Sequence, residues 1–225
     1  MAEPAHIYRV FDLELAALKD QIREMGELVE RQIADVTRAL MERDPALAGR
    51  VVETDRLVNA REVAIDAQCI RMLALRQPAG SDLRFIAAVL KIVTDLERIG
   101  DLAVNMAERV EALCGEPPMR VATELPRMSA AAQRMLSDAL EAFLTKDVAR
   151  AEAVLAADAD VDRLLVKVFD ELRGEMRRDP SVVDRAVSMI FFAKHVERLA
   201  DHATNLAEMV TFLVRGKDVR HRDRR

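Results

Sequence analysis

The chain has 225 residues and a formal net charge of −5; 51 % of its residues are hydrophobic and 32 % are charged, with seven glycines and seven prolines. This composition supplies enough apolar surface for a core, favours helices, and excludes a general nucleic-acid-binding surface because the balance is acidic. The longest unbroken apolar run, residues 85–90, is too short to form a transmembrane segment.

Cysteine usage points to a reducing compartment. Cys69 and Cys114 have no second Cys or His at zinc-ligand spacing, so they are interpreted as ordinary thiols. Nothing near the N-terminus resembles a signal peptide. We therefore expect a soluble, cytoplasmic protein.

Three long amphipathic helices are predicted in the first half of the chain, because apolar residues recur there at intervals of three and four. Asp44 and Pro45 are suited to cap and open the second helix. Either Ser81 or Asp82 is expected to cap the third. The predicted bounds are Tyr8 to about Arg43, Pro45 to about Arg76, and residues 81–113.

The same plan is predicted to repeat after the sequence Gly-Glu-Pro-Pro at residues 115–118. Asp147 is placed to cap a fifth helix and Asp179 to open a sixth. The predicted bounds of these helices are about Leu125 to Leu144, from the Asp147 cap to about Arg178, and from the opening segment at residues 179–181 to about Val214. The tail, residues 215–225, is basic, lacks apolar periodicity and is predicted to be disordered.

Two matching stretches indicate an internal duplication. Residues 96–108 and 196–208 share seven of thirteen residues at an offset of 100, while Asp44 aligns with Asp147 at an offset of 103. The predicted fold is therefore all-α, with two tandem three-helix bundles related by duplication. The predicted domains are residues 1–115 and 116–214, followed by the basic tail.

Each duplicated stretch carries oxygen-bearing side chains that fall within about 80° of arc on a helical wheel, beside the apolar face. The preceding helix of each half adds a second acidic pair. The first stripe comprises Glu97, Asp101 and Asn105 with Asp55 and Asn59; the second comprises Glu197, Asp201 and Asn205 with Asp158 and Asp162.

Two interpretations of these stripes stay open from the residues alone. Carboxylates at i and i+4 repel each other, and a bound hard cation such as Mg, Ca, Mn or oxidised iron would neutralise them; zinc can be held as well. The alternative is a solvated acidic face in which Arg98 and Arg198 pair with neighbouring acids.

Enzymatic interpretations find less support. The Glu-x-x-His spacing of di-iron bundles is absent, because Gly100 and Ala200 stand three residues after the stripe glutamates. His195 and His202 have no counterpart in the first half and are interpreted as solvated or packed. No phosphate-binding glycine loop, nucleophile elbow or Cys-His signature is present.

At these motifs the chain resembles the PhoU family of phosphate-signalling regulators. The paired Leu96-Glu97-Arg98-Ile99-Gly100-Asp101 and Val196-Glu197-Arg198-Leu199-Ala200-Asp201 stretches are similar to the family's Glu/Asp-x-x-x-Asp motifs. The segment from Gln77 to Arg84 resembles its interhelical Pro-x-x-x-Asp-Leu-Arg motif. The resemblance extends over the chain up to the basic tail.

The resemblance implies a non-catalytic, cytoplasmic negative regulator of phosphate uptake and of the phosphate-starvation response. It also implies a homodimer, partners in the ATPase subunit of the phosphate ABC transporter and the phosphate-sensing histidine kinase, and iron or zinc on the acidic stripes. Two rivals remain: a carboxylate-bridged metalloenzyme, and a purely structural helical scaffold.

Overall fold

The computed structural model describes the backbone of residues 4–120 and 122–216, and the side chains within these ranges from residue 10 onward. Every regular element in these ranges is helical. In chain order the helices are α1 Pro4–Glu42, α2 Pro45–Arg76, α3 Gly80–Cys114, α4 Leu125–Thr145, α5 Val148–Arg178 and α6 Val183–Arg215. The structure therefore confirms the all-α fold and the six predicted helices.

The turns before α2 and α5 show the duplication at atomic level. Asp44 caps α2 by accepting a hydrogen bond from Leu47 N, and Asp147 caps α5 by accepting one from Arg150 N, each at 3.0 Å. The residues just before them, Arg43 and Lys146, both adopt the left-handed conformation, with φ of 55° and 60°. Both predicted N-caps are confirmed, because an aspartate oxygen satisfies one of the free N–H groups of the first turn.

Two predicted helix starts differ from the structure. Neither Ser81 nor Asp82 caps α3, which begins at Gly80 after Ala79 with no side-chain cap. Gly80 has a φ of +59°, a conformation that glycine adopts without steric cost, so the chain turns into the helix before Ser81. Asp179 caps a short 3₁₀ helix, Pro180–Val182, which precedes α6.

One hydrophobic core connects the two halves. The three helices within each half pack against one another, and between the halves α3 packs on α6 and α1 on α4. Buried residues from Leu18 on α1 to Leu213 on α6 form a single cluster. Phe85 of α3 stacks on Phe143 of α4 with ring centroids 5.4 Å apart. The division into domains at residues 115 and 116 stays a prediction.

Arg43 attaches the end of α3 to the turn between α1 and α2. Its Nη2 donates to the carbonyl oxygens of Leu113, Cys114 and Glu116 at 2.9, 3.2 and 2.6 Å. These carbonyls lie at the C-terminus of α3, where backbone acceptors lack helical partners. The guanidinium therefore fixes the direction in which the chain leaves the first half.

At its C-terminal end, α6 finishes within one residue of the predicted position, and Arg215 forms an ion pair with Glu152 at 3.1 Å. The rest of the predicted basic tail, residues 217–225, lies outside the described residues. Among the helices that the structure describes, none is long and apolar enough to cross a membrane.

Candidate functional site

The first stripe is assembled where α2 faces α3. Asp55 and Asn59 lie one turn apart on α2, and Glu97 and Asp101 lie one turn apart on α3. Burial raises the pKa of the Glu97 carboxyl, and the charges of Asp101, Glu62 and Asp55 raise it further. The carboxylates of Asp55, Glu62, Glu97 and Asp101 therefore share one electrostatic environment, and Glu62 is the one of these that the i, i+4 pairs do not include.

Asp55 places an unsatisfied oxygen in this site. Asn59 Nδ2 donates to Asp55 Oδ2 at 3.0 Å, but Asp55 Oδ1 is buried and has no hydrogen-bond partner among the described residues. Burial raises the pKa of Asp55 and the charge of Asp101 adds to the shift, whereas the neighbouring amide side chains of Gln32 and Asn59 oppose it. The carboxylate is thus held partly desolvated, with one oxygen available to a proton or a cation.

Gln32 of α1 places a second buried hydrogen-bond acceptor close to Asp55, beside Gly100 of α3. Its Nε2 donates to Val51 O at 3.2 Å, while its Oε1 has no partner in the described part of the chain. A Cβ built on Gly100 would lie 3.0 Å from Asp55 Oδ1 and 3.4 Å from Gln32 Oε1. The absence of a side chain at Gly100 therefore leaves room for two oxygens to converge on the α3 backbone.

Arg98 partly neutralises the stripe from its solvent side. Its guanidinium lies 3.2 Å from Asp101 Oδ2 and 3.6 Å from Glu97 Oε2, and 60 % of its side chain is exposed. A solvent-exposed ion pair of this kind stabilises a protein only weakly, because water and salt screen it. Arg98 therefore pairs with neighbouring acids, as expected if the stripe is a solvated acidic face. Even with this arginine nearby, the pKa of the Glu97 carboxyl is raised.

Three polar residues near the first stripe are not among the predicted site residues: Gln32, Glu62 and Asp66. Burial raises the pKa of Glu62, and the charges of Asp66 and Asp101 add to it. Glu62 follows Asp55 by two helical turns, which is the signal that places it on the same face. The duplication does not reveal it, because Leu165 of the core stands at its position in α5. Asn105, which was predicted, is exposed.

The second stripe is arranged differently. Glu197 forms an ion pair with Lys194 at 2.9 Å, whereas the first half has Thr94 at the lysine's position. Asp158 and Asp201 are partly buried, and Asp162 is exposed. The duplicated sequence therefore does not produce two equivalent electrostatic sites.

Asn205 contributes to the contact between the halves. Its Nδ2 donates to Asp95 Oδ1 of α3 at 3.4 Å, and His202 Nδ1 lies 2.8 Å from the same oxygen. The side chains of Asp95 and His202 are each 20 % exposed.

His195 is half-buried, and burial lowers its pKa, with the charges of Arg198 and Arg109 adding to the effect. Both histidines are packed between helices, and His202 also has a specific acidic partner.

The stripes fit a metal ion in chemistry but not as a preformed cage. Carboxylate and amide oxygens are donors for hard cations, and Asp55 Oδ1 and Gln32 Oε1 are acceptors in need of a partner. However, no three His, Cys, Asp or Glu side chains of the described ranges stand together as a metal-binding group. Binding an ion at the first stripe would therefore require its carboxylates to turn toward a common point.

Comparison with known proteins identifies the architecture. A family model described as "PhoU domain" matches residues 22–110 and again residues 125–210. The chain belongs to the PhoU family. The two PhoU matches begin 103 residues apart and end 100 residues apart. These are the two offsets that the internal repeat shows in the sequence.

Two curated relatives extend over nearly the whole chain. The "Phosphate-specific transport system accessory protein PhoU homolog" of Pseudomonas aeruginosa is 43 % identical over 218 residues, which cover 96 % of this chain and 90 % of the relative. The "Phosphate-specific transport system accessory protein PhoU" of Escherichia coli K12 is 33 % identical over 216 residues, which cover 96 % of this chain and 90 % of the relative.

Two solved PhoU structures are similar to the fold. PhoU from Pseudomonas aeruginosa matches with a TM-score of 0.87 at 42 % identity, covering 92 % of this chain and 100 % of that one. The "phosphate transport system regulatory protein PhoU" from Streptococcus pneumoniae matches with a TM-score of 0.86 at 30 % identity, covering 93 % of this chain and 99 % of that one. The six-helix arrangement is therefore that of the PhoU family.

Proposed function

We propose that this chain is an accessory protein of a phosphate-specific transport system. The observation that carries the proposal is the 43 % identity with a relative of that name, over 96 % of this chain and 90 % of the relative. Both halves take part in the family match, so the likeness is not limited to one shared module. Long helices with charged outer faces suit a protein that acts by contacting partners.

In this role the chain acts as a non-catalytic adaptor and negative regulator of phosphate uptake and of the phosphate-starvation response. The Streptococcus pneumoniae neighbour is itself titled a regulatory protein of the phosphate transport system, which supports a regulatory role here. The proposed partners are the ATPase subunit of the phosphate ABC transporter and the phosphate-sensing histidine kinase. A homodimer in the cytoplasm is part of the same proposal.

The regulatory role is tested in phosphate-replete cells that lack the gene, with alkaline phosphatase activity as the readout. We expect high activity in these cells and a return to low activity when the wild-type gene is supplied. If the activity stays low without the gene, in cells with no second member of the family, the chain is not a negative regulator of this response. That result would favour a carboxylate-bridged metalloenzyme or a purely structural scaffold.

We further propose that the first stripe binds a metal ion through Asp55, Asn59, Glu97 and Asp101, with Asn105 at its edge. Clustered carboxylates with raised pKa values support this, because a cation offsets both their burial and their mutual repulsion. Iron and zinc are the expected metals, with magnesium and manganese as alternatives. The second stripe, Asp158, Asp162, Glu197, Asp201 and Asn205, is a weaker candidate because Lys194 already neutralises Glu197.

Metal analysis of protein washed with a chelator and then reloaded tests this site. We expect the double variant Glu97→Ala, Asp101→Ala to lose bound metal, and the matched variant Glu197→Ala, Asp201→Ala to lose less. Unchanged metal content in the first variant would show that the stripe is not the binding site. Equal losses in both would show that the stripes are equivalent ligands despite Lys194.

A further inference from the structure

A cationic cleft lies between α4 and α5, on helices that do not carry the Glu97 stripe. Its volume is about 530 Å³, within the range of sites that bind small molecules. The floor is formed by small or apolar side chains, including Ala131 and Leu164. The charged side chains that line it are Arg127 and Arg134 from α4, and Asp160, Arg163 and Lys167 from α5.

Positive charge dominates this cleft in an otherwise acidic chain. Four cationic side chains line it against the single carboxylate of Asp160. Arg163 is paired with that carboxylate, and Arg127 is paired with Glu124 at 2.9 Å. Arg134 and Lys167 have no acidic partner among the described residues. Two cations are thus available to an incoming anion.

The equivalent groove in the first half provides an internal comparison. At the offset of 103, Arg127 corresponds to Glu24, and Arg163 and Lys167 correspond to Ala60 and Ala64, whereas Arg134 corresponds to Arg31. In the first half, Arg61 of α2 forms an exposed ion pair with Glu24 of α1 at 2.9 Å. Because the two helix pairs share one packing plan, the packing itself does not require the three cations that the first half lacks.

The spacing of the charges indicates the size of the ligand. Arg127 and Arg134 are separated by seven residues of α4, which corresponds to about 10 Å along the helix axis. An orthophosphate ion beside Arg134 occupies only one end of this length, whereas a longer anion also reaches Arg127 and competes with Glu124 for its guanidinium. Guanidinium groups bind phosphate oxygens in pairs, and a lysine ammonium adds a point charge. We propose that the α4–α5 cleft binds a small polyanion that carries two or more phosphate groups.

The shape of the site favours a small anion over a membrane or a nucleic acid. The cationic side chains line a groove between two helices, whereas electrostatic binding to a membrane or a duplex requires a broad basic face. The net charge of −5 opposes both of these extended polyanions. A linear polyphosphate and a nucleoside triphosphate share the required chemistry. The apolar floor would distinguish them, because it can pack against a nucleobase and offers no charged group to inorganic phosphate.

Titration calorimetry on the full chain tests the proposal, with inorganic tripolyphosphate, ATP and orthophosphate as separate metal-free probes at about 0.1 M salt. We expect tripolyphosphate or ATP to bind at least ten-fold more tightly than orthophosphate. Tighter binding of ATP than of tripolyphosphate identifies a nucleotide site, and equal binding identifies a polyphosphate site. Failure of both to bind, or equal affinity for orthophosphate, overturns the proposal.

A charge-matched pair of variants locates the binding. Arg134→Gln with Lys167→Gln removes the two cations that lack an acidic partner, and we expect the affinity to fall ten-fold or more. Arg31→Gln with Arg61→Gln removes the same charge from the first-half groove, and we expect no change. All four side chains are exposed, and circular dichroism verifies folding. Equal losses in the two variants would overturn the assignment to this cleft.

Discussion

His202 Nδ1 lies 2.8 Å from Asp95 Oδ1, and this hydrogen bond joins the two halves of a duplicated chain. The duplication does not repeat the bond, because Leu102 stands where His202 does and His195 stands where Asp95 does. Asp95 therefore receives two polar contacts from α6, one from His202 and one from Asn205, that have no counterpart in the internal repeat. The other contacts across this pair of helices include two cation–π pairs, Lys91 with Phe212 and Arg109 with Phe191.

Replacement of His202 by leucine, the residue of the first half, is expected to destabilise the protein. The variant leaves Asp95 partly buried with only the 3.4 Å contact to Asn205. We expect the free energy of unfolding to fall by about 1–2 kcal/mol, as for the loss of one partner of a buried hydrogen bond. Chemical denaturation measures it. If a double-mutant cycle with Asp95→Ala gives no coupling energy, the contact contributes nothing to stability.

Replacement of Asp55 by asparagine is expected to stabilise the metal-free protein at neutral pH. A carboxyl whose pKa is raised by folding binds its proton more tightly in the folded state, so its ionisation destabilises the fold. This free-energy cost is absent when the pH is below the ordinary pKa of a carboxyl group. It reaches its full value when the pH is above the raised pKa of Asp55 in the folded protein. We expect a gain of about 0.5 kcal/mol near pH 7, since solvent screens a partly exposed group, and a smaller gain near pH 4.

Thermal denaturation over this pH range checks the Asp55 prediction. The matched control is Asp162→Asn, because Asp162 is exposed and asparagine is the residue at the equivalent position of the first half. We expect the control to show no comparable gain at neutral pH. A gain for Asp55→Asn that grows toward acidic pH would contradict the expected direction of the pKa shift.

Gly26 is expected to tolerate no large side chain, because α1 meets α4 closely there. A Cβ built on Gly26 would lie 2.6 Å from Leu140 Cδ1. We expect Gly26→Leu to lower the stability by about 1–3 kcal/mol through overpacking. In the described part of the chain, Gly174 of α5 has no neighbour within 4 Å of its Cβ position, so Gly174→Ala is expected to raise stability by about 0.5–1 kcal/mol. Urea denaturation distinguishes the two, and a neutral Gly26→Leu would show that α1 and α4 can separate locally.

The two thiols are expected to differ in reactivity. Cys69 is buried, and burial raises the pKa of its thiol to about 12, which suppresses the reactive thiolate. Cys114 is partly exposed near the end of α3. A thiol-reactive dye should therefore label Cys114 in the native protein and both residues after denaturation. Rapid native labelling of Cys69, identified by mass spectrometry, would show that α2 opens readily from the core.

The helices were predictable because their signals are local. Asp44 and Asp147 each precede a helix, and an aspartate that accepts an N–H of the first turn acts in the same way in both halves. The four-residue spacings likewise place Asp55 with Asn59, and Glu97 with Asp101, on one face of each helix, whereas the facing of the two pairs was implied only by the family resemblance. Their role in metal binding stays a proposal.

The contacts that the sequence did not predict depend on packing between distant helices. The bond between Asp95 and His202 depends on how α3 meets α6, which no spacing within one half encodes. Glu62 was missed because its counterpart, Leu165, belongs to the core, so comparison of the repeats conceals it. The α4–α5 cleft could not be predicted either, because Arg134 and Lys167 are ordinary surface residues in the sequence and only the packing of α4 on α5 brings them together.

The single core has a consequence for synthesis on the ribosome. When the first three helices emerge, Phe85 has no Phe143 to stack on, and the α3 face that later contacts α6 is still open to water. Translation must therefore proceed almost to residue 216 before that surface can be covered. A nascent chain whose residues up to 115 have left the ribosome, while α6 has not, would hold an apolar helix face available to chaperones or to another nascent chain. Fragments that stop there are expected to aggregate, even though the sequence divides at that point.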